Sequence, residues 1–177
     1  MTIHHHRITI AVKPVDYGPQ SPRERERAAV SAILSTLAPE LALAHLPSGA
    51  PVLVGSPDAP AISISHGGGM AAVAIGPHDH AFGIDIEAPR PQLLRVARKF
   101  LSPDEMSLAG SDLSAHLRYW TAKEAVYKAA LTPGLPLTDI AVNLAGSTAA
   151  ACGITYSLIR HDIDPGLLLC LAVAETV

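Results

Sequence analysis

The sequence predicts an α+β fold. Three observations carry that reading. Strand patterns open and close the chain, and helical patterns gather in the middle instead of alternating regularly with strands. Gly- and Pro-rich turns also separate several short apolar runs. A chain of 177 residues has the length of one domain and can bury a substantial core. Hydrophobic residues make up 49% and charged residues only 16%, a balance that favours folding over disorder.

Residues 6–12 alternate as a strand, and a loop with Pro14, Gly18 and Pro19 follows. Ser21-Pro22-Arg23-Glu24 is a helix start: Ser21 caps, Pro22 suits the first turn, and Glu24 can bond back to the cap. That helix is predicted to reach Leu37, with Ala29, Val30, Ile33, Leu34 and Leu37 on its apolar face. Strands are predicted over 51–54, 61–65 and 70–75, with Gly67-Gly68-Gly69 turning between the last two. Residues 81–87 form another strand. A helix is expected over 91–101, with Leu93, Leu94, Ala97 and Leu101 on one side. Ser102-Pro103-Asp104-Glu105 repeats the capping pattern and starts a short helix that stops near Gly110. Asp112 or Ser114 caps a longer helix to about Leu131, which Pro133, Gly134 and Pro136 end. Strands over 139–144, 153–160 and 167–174 complete the order. Each half offers a helical segment plus strands, so the single domain reads as pseudo-repeat halves, 1–78 and 79–177.

Composition narrows the function classes. No apolar run approaches the ~18 residues a membrane helix needs, and Met1 to Arg7 lack the apolar core of a secretory signal. Cys152 and Cys170 sit among apolar residues and read as buried thiols. A cytoplasmic enzyme fits these features. The net charge of −3 gives no support to nucleic-acid binding. His4, His5 and His6 suggest a metal, but neighbours on a strand point to opposite faces and cannot easily share one ion.

Two runs carry chemistry. In Phe82-Gly83-Ile84-Asp85-Ile86-Glu87, Asp85 and Glu87 share a strand face while Ile84 and Ile86 point to the core. Adjacent carboxylates repel unless a cation lies between them, and oxygen donors select Mg²⁺ or Mn²⁺. A solvated strand end with two acids is the plainer alternative. In Trp120-Thr121-Ala122-Lys123-Glu124-Ala125-Val126-Tyr127-Lys128, Trp120, Glu124 and Lys128 form one helical stripe. Glu124 and Lys128 make either an ordinary i,i+4 pair or an acid–base couple. Trp120 suits a core or a groove wall, and Lys123 either reaches a phosphate or faces water. A third run ends a strand in Ser65-His66 before three glycines, where a hydroxyl, an imidazole and open backbone N–H groups can meet phosphate. A plain hairpin turn is the alternative there.

Together, Ser65-His66, Gly83-Ile84-Asp85-Ile86-Glu87 and Trp120 to Lys128 resemble the Sfp-type 4′-phosphopantetheinyl transferases in order and spacing. Arg98-Lys99-Phe100-Leu101-Ser102-Pro103-Asp104-Glu105 is similar to that family's basic-aromatic stretch. The resemblance covers roughly residues 60–145. It implies the family's fold, two pseudo-duplicated α+β halves with a cleft between them, sufficient as a monomer. It implies Mg²⁺-dependent transfer of phosphopantetheine from coenzyme A to a serine of an apo acyl or peptidyl carrier protein, releasing adenosine 3′,5′-bisphosphate. Asp85, Glu87 and Glu124 would ligate the metal. Glu124 would take the serine proton, directly or through a water, and Lys128 would neutralise or protonate the leaving phosphate. Ser65 and His66 would contact coenzyme A phosphates. Arg23, Arg25 and Arg27 are further cations for the 3′-phosphate, with a solvated helix face as the alternative. Arg90, Arg95, Arg98, Lys99 and Arg118 would steer an acidic carrier protein.

Two departures stand out: Gly49-Ala50-Pro51 replaces the family's frequent Gly-Lys-Pro, and Gly67 follows His66 where a serine is common. A non-catalytic relative that binds carrier protein or coenzyme A is one competing class. A metal-dependent phosphodiesterase is another, disfavoured because Glu124 and Lys128 are four apart on a predicted helix and the chain is not basic.

Overall fold

The computed structural model describes residues 1–163 and 166–175, and the chain divides into two compact units, Met1–His80 and Ala81–Val177. Both mix helices with antiparallel sheet, so the fold class is α+β. Among the described residues, no helix is long and apolar enough to cross a membrane.

The first unit contains β1 (Thr2–His5), β2 (Ile8–Pro14), α1 (Pro22–Leu37), β3 (Ala42–His45), β4 (Pro51–Val54), β5 (Ala61–Gly67) and β6 (Met70–Gly76). Four strands form an antiparallel sheet in the order β1-β2-β6-β5, and β3 with β4 forms a separate hairpin. The expected strand at 6–12 starts later, because His6 sits at φ 50° in the turn after β1. The Ser21 cap forms as the sequence implies: its hydroxyl accepts from Glu24 N, while Glu24 Oε2 accepts from Ser21 N at 2.8 Å. Ala29, Val30, Ile33 and Leu34 of α1 pack with Leu53, Ala71 and Val73. Gly68 and Gly69, at φ 56° and 79°, close the β5–β6 hairpin. Two successive positive φ angles are what a tight two-residue hairpin needs, and glycine adopts them without strain.

The second unit contains β7 (Phe82–Glu87), α2 (Gln92–Val96), a 3₁₀ turn (Ala97–Lys99), α3 (Pro103–Ala109) and α4 (Leu113–Ala130). A further 3₁₀ turn (Leu137–Asp139) leads to β8 (Ala141–Asn143), β9 (Thr148–Ala151), β10 (Ile154–Ile163) and β11 (Leu167–Ala174). The sheet order is β7-β11-β10-β9-β8, and α4 packs over β7 and β11. The helix expected over 91–101 is shorter and broken. Pro91 offers no side-chain cap, and the chain tightens to 3₁₀ geometry before Phe100, which is fully buried against Trp120. Ser102 and Glu105 form the second capping box, and Asp112, not Ser114, caps α4.

The cysteines do not share one environment. Cys170 is buried on β11, but Cys152 is exposed. Cys152 and Gly153, at φ 52° and 77°, form the two-residue turn between β9 and β10, which points outward whatever its polarity. At the N-terminus, His4 Nδ1 lies 3.1 Å from Thr9 Oγ1, while the His5 and His6 rings meet edge to face at 4.5 Å.

Candidate functional site

In the second unit a strand and a helix meet at unusually close range. Gly83, Asp85 and Glu87 share the face of β7 that α4 covers. A Cβ on Gly83 would lie 2.6 Å from Ala129 N and 2.9 Å from Lys128 Cβ, closer than real Cβ atoms approach. Glycine therefore lets the α4 backbone come down onto the strand. Lys128 reaches across: its Nζ donates to Ile84 O and to Asp85 Oδ1, each at 2.9 Å. Asp85 is only 5% exposed, so the alternative of a solvated pair of acids does not hold for it. Glu87, at the strand end, accepts from Arg90 Nη2 at 3.0 Å. Both faces of β7 are buried along most of its length.

Charge ties these groups together. Burial, and then the neighbouring Asp85 carboxylate, hold the Glu124 carboxyl above its ordinary range, and Lys128 partly opposes the rise. Burial also raises Glu87, against the pull of Arg90, and Asp85 adds to the rise. Three carboxyl groups and two cations thus occupy one electrostatic neighbourhood. The donors are all carboxylate oxygens, and their mutual repulsion is the condition a hard divalent ion relieves. Among the described residues, however, no three His, Cys, Asp or Glu side chains are gathered as a metal-binding group. Asp85 is tied to Lys128, and Glu87 to Arg90.

Trp120 walls this neighbourhood. Its ring meets Phe100 edge to face at 5.1 Å and carries the Arg90 guanidinium 5.7 Å above it. The indole Nε1 is buried without a hydrogen bond of good geometry, yet its positive end favours the ionised form of Glu87.

Lys123 overturns both expectations for it, since it reaches neither phosphate nor water. It is fully buried, with Nζ 2.7 Å from Glu105 Oε2, and it donates to Leu137 O at 3.0 Å and Ile140 O at 2.6 Å. Glu105 also accepts from Ser102 N and from Val142 N. The pair knots α3, α4 and the start of β8 together. Burial lowers the Lys123 pKa and Glu105 opposes that shift.

The first unit holds a groove of about 610 Å³. Arg23, Glu26 and Arg27 of α1, His45 of β3 and His66 of β5 line it above an apolar floor that includes Val30, Leu34 and Ile64. Three of the anion-binding residues expected from sequence thus come together: Arg23, Arg27 and His66. Ser65 does not join them. It is 5% exposed and sits on the face of β5 opposite to His66 and Ile64, because strand residues alternate. Arg25 also lies outside the lining, with Nη1 3.5 Å from Asp16 O. His45 was not legible as a site residue, because Ala42–His45 carries no clear strand signal. Arg95, Arg98, Lys99 and Arg118 are exposed, whereas Arg90 is engaged with Glu87.

Residues 81–161 match the family model of the 4′-phosphopantetheinyl transferase superfamily. No curated protein matches the chain. The matched segment contains Asp85, Glu87, Glu124 and Lys128, the residues that the strand–helix contact assembles. The second unit therefore carries a domain of the 4′-phosphopantetheinyl transferase superfamily.

Proposed function

We propose that this protein is a Mg²⁺-dependent phosphopantetheinyl transferase that moves 4′-phosphopantetheine from coenzyme A to a serine of an apo acyl or peptidyl carrier protein. The observation that carries the reading is the Lys128 bridge to Asp85 beside the raised carboxyl of Glu124. Asp85, Glu87 and Glu124 would hold Mg²⁺, or Mn²⁺ in its place. When bound, the ion would neutralise pyrophosphate charge. The serine oxygen forms a bond to the phosphorus bearing pantetheine, and the bond from that phosphorus to the bridging oxygen of the nucleotide breaks. The serine proton passes to Glu124, directly or through a water. A carboxyl held above its ordinary range is a better proton acceptor than an exposed one. Lys128 faces the developing charge on the leaving oxygen and can return a proton to it. The leaving product is adenosine 3′,5′-bisphosphate.

Arg23, Arg27 and His66 would receive coenzyme A phosphates, which the shared groove supports. Ser65 would then serve β5 itself, since its side chain lies off that groove. Exposed Arg95, Arg98, Lys99 and Arg118 would meet an acidic carrier protein, with affinity falling as salt rises. The chain would act as a monomer in the cytoplasm. Incubation with coenzyme A, Mg²⁺ and a panel of apo carrier proteins tests the reading. A mass gain of one phosphopantetheine supports it. Coenzyme A binding with no gain on any carrier would favour a non-catalytic binding relative, the reading that uncharged Ala50 keeps in play.

A further inference from the structure

The first unit's groove contains one histidine whose role nothing above assigns. We propose that His45 is a titratable phosphate contact of this groove, one that makes nucleotide binding weaken as pH rises. This inference rests on the reading of the groove as the site for coenzyme A phosphates.

The β3–β4 hairpin places His45 opposite Pro51, and Leu46 N donates to Ala50 O at 2.9 Å. Position 50, where the resemblance expects a lysine, is therefore a close neighbour of His45 on the same hairpin. Ala50 brings no charge there, while His45 lines the groove with Arg23 and Arg27. The remaining charged or titratable lining groups are Glu26 on α1 and His66 on β5. Their side chains already face each other, with His66 Nδ1 3.7 Å from Glu26 Oε1. His45 has no ion-pair partner among the described residues. It is also exposed, so it can turn toward a ligand without breaking a packed contact. A lysine stays charged through neutrality. An ordinary imidazole loses its charge near pH 6.5. The groove thus keeps two permanent guanidinium charges and sets the His45 imidazole beside them.

The test is calorimetric titration of the full chain with adenosine 3′,5′-bisphosphate at about pH 5.5 and about pH 8, below and above the usual imidazole pKa. The ligand's own phosphate titration is common to all variants, so the ratio of variant to wild-type Kd isolates the protein. His45→Gln should weaken binding about fivefold at the lower pH and change it less than twofold at the higher. His45→Lys should bind as tightly as wild type at the lower pH and more tightly than wild type at the higher. Equal ratios for His45→Gln at both pH values would overturn the inference. Arg27→Ala separates the two layers. If it weakens binding at both pH values while His45→Gln does nothing, the inference fails and the groove reading stands. If Arg23→Ala and Arg27→Ala both bind as wild type, the groove reading fails and takes the inference with it.

Discussion

Replacing Gly83 by alanine sets two effects of opposite sign against each other. Alanine in a strand interior avoids the entropic cost of glycine and would normally stabilise by about 0.5–1 kcal/mol. Here the added Cβ would fall inside 3.0 Å of Ala129 N and Lys128 Cβ, and nearer still to Ala125 O. Two of those atoms are helix backbone and cannot rotate away. Overpacking of this kind costs about 1–3 kcal/mol, and immovable neighbours put Gly83 at the upper end. The net expectation is a loss of about 2 kcal/mol, or roughly 4–8 °C in melting temperature for a chain of this size. Because α4 must lift from β7, Lys128 Nζ must also leave Asp85 and Ile84 O. Transfer activity should therefore fall even at temperatures where the variant is folded. Thermal melts followed by circular dichroism, with mass-shift assays below the transition, measure both. A variant as stable as wild type, or more so, would refute the close approach of strand and helix.

Glu124→Gln and Lys128→Met should each lower kcat by about 10²–10⁴, the range for losing a positioned proton acceptor or a charge stabiliser. Steady-state kinetics on a carrier protein check this, and full activity in either variant would remove that residue from the mechanism. Lys123→Met leaves Glu105 charged and buried, so urea unfolding should show a loss of about 3 kcal/mol or more. An unchanged midpoint would show that the pair carries no weight. Burial pushes the Cys170 thiol up to about 12 from 9.0. The folded pKa exceeds the unfolded one, so this contribution to stability is complete below about pH 9 and is lost progressively towards about pH 12. Unfolding midpoints across that range should decline less in Cys170→Ala than in wild type. In the native protein a thiol reagent at pH 8 should modify Cys152 alone, and both cysteines after denaturation.

Local signals made much of the architecture legible. Ser21 and Glu24 bracket one helix start, Ser102 and Glu105 another, and Asp112 caps α4, because a cap is satisfied within three residues of itself. Strands without local signals are not legible in the sequence. Thr148–Ala151 is alanine-rich, Ala42–His45 mixes small and polar residues, and Thr2–His5 is masked by its histidines. Each is defined by its pairing partner. The site divides the same way. Spacing alone put Asp85 with Glu87 and Glu124 with Lys128, since periods of two and about 3.6 fix shared faces. Nothing local showed that Lys123 is buried, because its partners are Glu105 and the carbonyls of Leu137 and Ile140. The same alternation that joins Asp85 to Glu87 separates Ser65 from His66.

The meeting of β7 with α4 also sets where this chain can change length. Two steps along a strand advance about 6.8 Å, and four along a helix about 6 Å. Asp85 and Glu87 on one rail therefore keep pace with Glu124 and Lys128 on the other. One inserted residue inside either rail would rotate its functional groups away and spoil the match. The segment between them, residues 88–112, carries α2, a 3₁₀ turn and α3 and buries Phe100 and Glu105, so its exposed join at Gly110 and Ser111 is where residues can be gained without touching that gauge. Changes of length among descendants of this chain should accumulate at that join and spare the rails.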